Sequence, residues 1–108
     1  DGDGRHQAIV ALIEHARVLR YPAPRSLGAE ASARDAGGAN TRHRGDSAED
    51  TGDFGPGTGN LRLDLLLPSV GLRVVRSGVF WPAPGAADAV IAGASDHHAV
   101  WIDLIPAE

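Results

Sequence analysis

Residues 25–60 contain almost no large apolar side chains, and this feature constrains the fold more than any other. Leu27 and Phe54 are the exceptions in a stretch made mostly of Gly, Ala, Ser, Asp and Arg. Such a composition does not bury enough apolar surface to build its own core. We therefore predict a long surface loop at about 25–60, with short turns, inside one domain that spans 1–108.

An amphipathic helix is predicted ahead of this loop, from Arg5 to about Leu19. Apolar residues recur there at helical spacing, at Ile9, Leu12, Ile13 and Ala16. Asp3 is the expected N-cap, since its carboxylate can accept from the first free amides. The prolines in 21–24 end the helix, because proline has no amide hydrogen to continue it.

The part of the chain after the loop is predicted to form strands. Leucine alternates with other residues along 61–67, which is typical of a strand, and proline comes directly after it. Shorter apolar runs come next, and a last strand closes the chain (72–75, 79–81 and 99–104). A helix followed by strands with hairpin-length connections indicates a mixed α+β fold.

Composition excludes several classes of protein. The 108 residues carry a net charge of −4 and contain no Cys, so disulfides, thiolate metal sites and Cys nucleophiles are ruled out. A nucleic-acid-binding module made of this segment alone is not expected without a basic face. No apolar run reaches the ~18 residues of a membrane helix. The start at Asp1 and the lack of Met lead us to expect an excerpt or a processed chain.

A polar cluster lies directly before the last predicted strand, at 95–98 (SDHH). Asp64 lies within the leucine-rich segment, where a charge is costly unless it is solvated or partnered. Placing Asp64 beside His97 would fix the tautomer of the imidazole and raise its basicity. From the residues alone, each also has a plainer interpretation: Asp64 as a solvated strand residue, Asp96 as a turn residue, and His97 as a satisfied surface histidine.

The remaining polar and aromatic residues have structural interpretations. Arg62 is expected to form an ion pair and His98 to be a neighbour of the site. Trp81 and Trp101 are expected in the core. The other histidines lack the spacing of zinc ligands, and the glycine-rich 55–59 lacks the Lys-Ser/Thr ending of a phosphate-binding loop.

Three motifs in this order carry a resemblance to a known family: 59–69 (GNLRLDLLLPS), 77–82 (SGVFWP) and 95–97 (SDH). Together they resemble the end of an endonuclease/exonuclease/phosphatase superfamily domain, in which an Arg-x-Asp-Tyr strand precedes a terminal Ser-Asp-His. The opening DGDG and its helix are similar to the segment that comes after the family's central Gly-Asp-x-Asn motif. Elements at His43, 45–46 and 50–51 resemble a long loop of one bacterial branch.

The resemblance implies a metal-dependent hydrolase of phosphate esters, a phosphodiesterase, nuclease or phosphatase. The implied fold is the C-terminal half of a four-layer α/β/β/α two-sheet sandwich, like deoxyribonuclease I. His97 would contact the scissile phosphate and act as a base or in transition-state stabilisation. Asp64 would hold and polarise His97, and Asp96 would lie at the metal or attacking-water position. The implied cofactor is Mg²⁺, which prefers hard oxygen ligands. A secreted or periplasmic bacterial location is a further expectation from the resemblance.

Departures from the family pattern limit these expectations. Leu65 stands where the family has Tyr, and His98 where basic or small residues are common. The family's metal-binding Asn and Glu and its catalytic Asp belong to motifs upstream of Asp1. We therefore expect the chain alone to be inactive and to need the upstream half of its own domain. The alternative is a non-catalytic protein-interaction module that keeps the fold.

Overall fold

The computed structural model describes residues 6–108. Within that range the strands form two antiparallel pairs, β1 with β2 and β3 with β4, so the mixed α+β fold is confirmed. None of the described helices has the length and apolar character of a membrane span. The elements are α1 (Gln7–Ile13), α2 (Leu27–Ala36), 3-10 helices at Gly38–Arg42 and Ser47–Glu49, β1 (Gly52–Asp53), α3 (Gly55–Thr58), β2 (Asn60–Leu61), β3 (Leu72–Val79), α4 (Ala89–Ala92) and β4 (Val100–Pro106).

The first helix is shorter than the predicted 5–19. It ends at Ile13, and residues 17–19 instead pair with 68–70 through backbone hydrogen bonds of 2.8 and 3.1 Å. Those pairings occupy the backbone groups that a longer helix would use internally. The predicted N-cap, Asp3, lies outside the described residues.

The prediction of a long loop at about 25–60 is wrong, because most of the segment forms helices and short strands. Ser26 caps α2 by accepting from the amide of Ala29 at 3.1 Å. Packing relies on small side chains, which let backbones approach closely. Our prediction counted only large apolar residues as core formers and so missed the buried alanines, Ala29, Ala31, Ala33, Ala39 and Ala48.

The antiparallel pair of β3 and β4 is the longest paired structure among the described residues. Its register runs from Leu72 opposite Pro106 to Val79 opposite Val100. The predicted break between two apolar runs is absent, since Gly78 stays in the strand with Trp101 across it. A Cβ at Gly78 would lie 2.8 Å from the indole ring. Trp101 is itself 42% exposed, so the prediction that it belongs to the core is wrong.

The strand predicted at 61–67 is mostly absent. Only Leu61 belongs to β2, and residues 62–68 are in no strand. Side chains hold this segment instead: the Tyr21 hydroxyl donates to the Leu66 carbonyl at 2.8 Å, and the Thr51 hydroxyl accepts from two of its amides. Alternation of leucines indicates a strand only where a partner supplies the ladder.

A carboxylate is buried just before β1. Asp50 is 3% exposed, and burial raises its pKa to about 6. The charge on His43 opposes this rise in pKa, whereas the charges on Asp46 and Glu49 add to it. Because the folded pKa lies above the unfolded value, Asp50 favours folding at low pH, and that stability is lost as pH rises from about 4 through 6.

We expect Asp50→Asn to raise the free energy of unfolding at pH 8 by about 1–3 kcal/mol. The difference should shrink toward zero as pH falls below the unfolded pKa of about 4, because the aspartate then becomes protonated in both states. Thermal unfolding of both proteins across that pH range measures it. Asp35→Asn is the control, because Asp35 is exposed and its charge is not among those that act on Asp50. A gain for Asp50→Asn that is constant with pH would contradict burial of the charge as the cause.

Candidate functional site

The structure brings together the two residues that the sequence analysis paired. Nδ1 of His97 lies 2.8 Å from Oδ2 of Asp64, with both side chains nearly half exposed. A carboxylate accepts only, so Nδ1 carries the proton, and Nε2 is the nitrogen left for a substrate. Within residues 6–108 no other side-chain hydrogen bond of His97 competes for that role. The pair is thus a carboxylate–imidazole dyad with one ring nitrogen available.

The carboxylate also changes the proton affinity of the imidazole. The hydrogen bond with Asp64, and then its charge, raises the pKa of His97 above the ordinary 6.5, with burial opposing and the charge of Asp96 assisting. The protonated ring therefore persists to higher pH than that of a free histidine. A cationic imidazole of this kind suits a bound phosphate.

Thr51 underlies the dyad, and the sequence analysis gave it no role. It is 2% exposed, and its hydroxyl donates to Oδ2 of Asp64 at 2.8 Å. The hydroxyl oxygen accepts from the amides of Leu63 and Asp64, both at 3.0 Å. A threonine among small polar residues carries no distinguishing signal, which is why the sequence did not reveal it.

The β1 strand holds the histidine segment in place. Gly52 forms an antiparallel bridge with His97, and the Asp53 amide donates to the Asp96 carbonyl at 2.9 Å. The ring of Phe54 meets the imidazole of His97 edge to face, with centroids 5.4 Å apart. A Cβ on Gly52 would lie 2.6 Å from the Phe54 ring, so glycine lets these elements approach.

Asp96 does not share the cavity of the dyad. Asp64 and His97 line an open cavity of about 470 Å³, whereas Asp96 lines a neighbouring one of about 320 Å³ with Asp53. No group of three or more His, Cys, Asp or Glu side chains that could hold a metal occurs in residues 6–108. The described residues therefore do not by themselves fit a magnesium ion.

His98 separates the two cavities and lines both. Its ring stacks on Trp81 with centroids 3.7 Å apart and 17° between planes. Burial lowers the pKa of His98 below its ordinary value, which favours the neutral imidazole. The stacked, buried ring fits a structural neighbour, and Arg62 likewise forms an ion pair, 3.7 Å from Glu49.

Comparisons with protein-family models, with curated proteins and with solved structures each found no significant match. The resemblance to the endonuclease/exonuclease/phosphatase superfamily thus remains a prediction from the motifs. The catalytic roles of Asp64, Asp96 and His97 remain predictions as well.

Proposed function

We propose that this chain is part of a hydrolase of phosphate esters in which His97 acts on the scissile phosphate. The observation that carries the proposal is the 2.8 Å hydrogen bond between His97 and Asp64. It joins residues 33 positions apart in the chain, at the rim of an open cavity. Both residues come from the motifs that resemble the superfamily.

In this proposal the chain supplies a hydrogen-bond donor and a positive charge at the phosphate. His97 is held through Nδ1, so Nε2 can donate to a phosphoryl oxygen as negative charge develops during attack by water. Its raised pKa favours the protonated form needed for that contact. Asp64 stabilises the imidazolium and fixes the ring, and Asp96 lies beside the dyad toward the second cavity.

Magnesium dependence is proposed from the resemblance, with most ligands supplied by the upstream half of the domain. Asp96 contributes at most one carboxylate from the residues described, and Mg²⁺ takes about six ligands, many of them waters. Phosphate esters are the proposed substrate class, with nucleic acid among the candidates.

We also propose that the chain forms the C-terminal half of a two-sheet sandwich like that of deoxyribonuclease I. The two small antiparallel sheets support it, as does the leucine-rich segment at 63–67, which has the alternation of a strand but belongs to none. The edge of a sheet is a template for an added strand. In this proposal the upstream half would supply that strand and cover the segment.

The test is hydrolysis of bis-para-nitrophenyl phosphate with Mg²⁺, using the full-length protein or this chain mixed with its upstream half. We expect turnover by the full protein or the pair and none by this chain alone. Absence of turnover with both halves folded and associated would overturn the proposal and favour a non-catalytic interaction module. A substrate panel of DNA, RNA, phospholipid and phosphomonoester then identifies the ester that is cleaved.

A further inference from the structure

Thr51 is a buried residue that joins its own segment to 61–64 and to His98. Its amide donates to the Leu61 carbonyl at 2.9 Å, and its carbonyl accepts from the His98 amide at 2.7 Å. Its hydroxyl binds the Asp64 side chain and two amides. The backbone contacts would form with any residue, but the hydroxyl contacts require this side chain.

The hydroxyl uses its full hydrogen-bonding capacity. One O–H donor and two lone pairs are available, and the contacts with Asp64 Oδ2 and the amides of Leu63 and Asp64 match them. The two accepted bonds fix the oxygen, which then fixes the carboxylate. The carboxylate oxygen it contacts is the one that binds His97.

We infer that Thr51 is a positioning residue for the dyad, acting through Asp64 on the tautomer and orientation of His97. The expected effect of Thr51 on catalysis rests on the proposed function. Its effect on the tautomer and orientation of His97 does not. With a second donor on Oδ2, the carboxylate is held in the position from which it accepts from Nδ1–H. Hydrogen-bond partners of this kind, one step removed from the reacting group, set the ring's orientation.

Thr51→Val tests the inference because it keeps the shape of the side chain and removes only the hydroxyl. In the full protein we expect kcat to fall ~10–100-fold with KM nearly unchanged. Thr51→Ser, which keeps the hydroxyl, should restore most of the activity. Thr58→Val is the matched control, since Thr58 is exposed in α3 and lines a cavity that neither Asp64 nor His97 lines.

A second measurement does not depend on activity. Nitrogen-15 NMR at a pH where the ring is neutral reports which nitrogen of His97 carries the proton. We expect the Nδ1–H tautomer to dominate in the wild type and in Thr51→Ser, and its ratio to Nε2–H to fall several-fold in Thr51→Val. A residue needed only for folding would change the unfolding temperature without changing this ratio.

The outcomes separate the two proposals. An unchanged tautomer ratio in folded Thr51→Val overturns the positioning role, whatever the activity. A changed ratio in Thr51→Val, together with a wild-type protein that hydrolyses no phosphate ester, supports positioning and overturns the proposed function instead. If Thr51→Val does not fold, Thr51→Cys replaces it with the same expectation, because a thiol of similar size is a weak donor.

Discussion

Replacing His97 by alanine should lower phosphodiester hydrolysis by the full protein by ~10²–10⁴-fold, the range of general acid–base groups. The variant removes Nε2, the ring nitrogen left for a phosphoryl oxygen, and also removes the Nδ1–H that Asp64 accepts at 2.8 Å. His97 is almost half exposed, so its loss should disturb packing little. Steady-state kinetics with bis-para-nitrophenyl phosphate measure the change.

Two further variants test whether the loss of activity is specific to the His97–Asp64 pair. Asp64→Asn keeps His97 but weakens its orientation, and we expect a smaller loss, ~10–100-fold. His15→Ala is the matched control, because that histidine is exposed and its ring accepts from the nearby Arg17 amide. Retention of wild-type kcat by a folded His97→Ala protein would remove this residue from the reaction and, with it, the basis of the proposed function.

Gly28→Ala should destabilise the fold more than any other change considered for this chain. A Cβ at Gly28 would overlap the carbonyl oxygen of Trp81 and lie 2.7 Å from that of Pro82. Both obstructing atoms belong to the backbone, so no side-chain rotation relieves the clash, and α2 must separate from 81–82. We expect a loss of about 3 kcal/mol or more and an unfolding temperature lowered by roughly 10–25 °C.

Gly57→Ala is the control for this prediction. Gly57 also lies in a helix, α3, and no heavy atom outside its neighbours lies within 4 Å of the added Cβ. There alanine should be neutral or stabilising by up to about 1 kcal/mol, the difference in helix propensity. Calorimetry of the two variants compares them directly, and equal unfolding temperatures would show that α2 is not packed against 81–82 as described.

Local patterns predicted those parts of the fold whose partners are near in sequence or strongly apolar. The last strand was expected at 99–104 and is found at Val100–Pro106. The α1 helix exists but ends early, because pairing with 68–70 depends on a segment about fifty positions away. The leucine-rich 61–67 has the local pattern of a strand, yet strand structure also needs a neighbour that the described residues do not provide.

The segment at 25–60 is where sequence reasoning was least informative. Its core residues are alanines, and alanine is as common on surfaces and in helices as in cores, so its burial is decided by how closely backbones approach. The buried Asp50, Thr51 and Asn60 are likewise invisible in a composition that suggests a solvated loop. Polar residues are buried only when a particular three-dimensional arrangement satisfies or tolerates them.

For the site, the sequence by itself determined which chemical groups are available: one carboxylate in a leucine-rich segment and an Asp-His-His run before the last strand. Only the tertiary structure decided which of them meet, joining Asp64 to His97 and directing Asp96 to a neighbouring cavity. It also added Thr51, whose hydroxyl sits under the dyad. The physical reason is that a hydrogen bond depends on distances of about 3 Å, and between residues far apart in the chain such distances are set by packing and not by spacing in sequence.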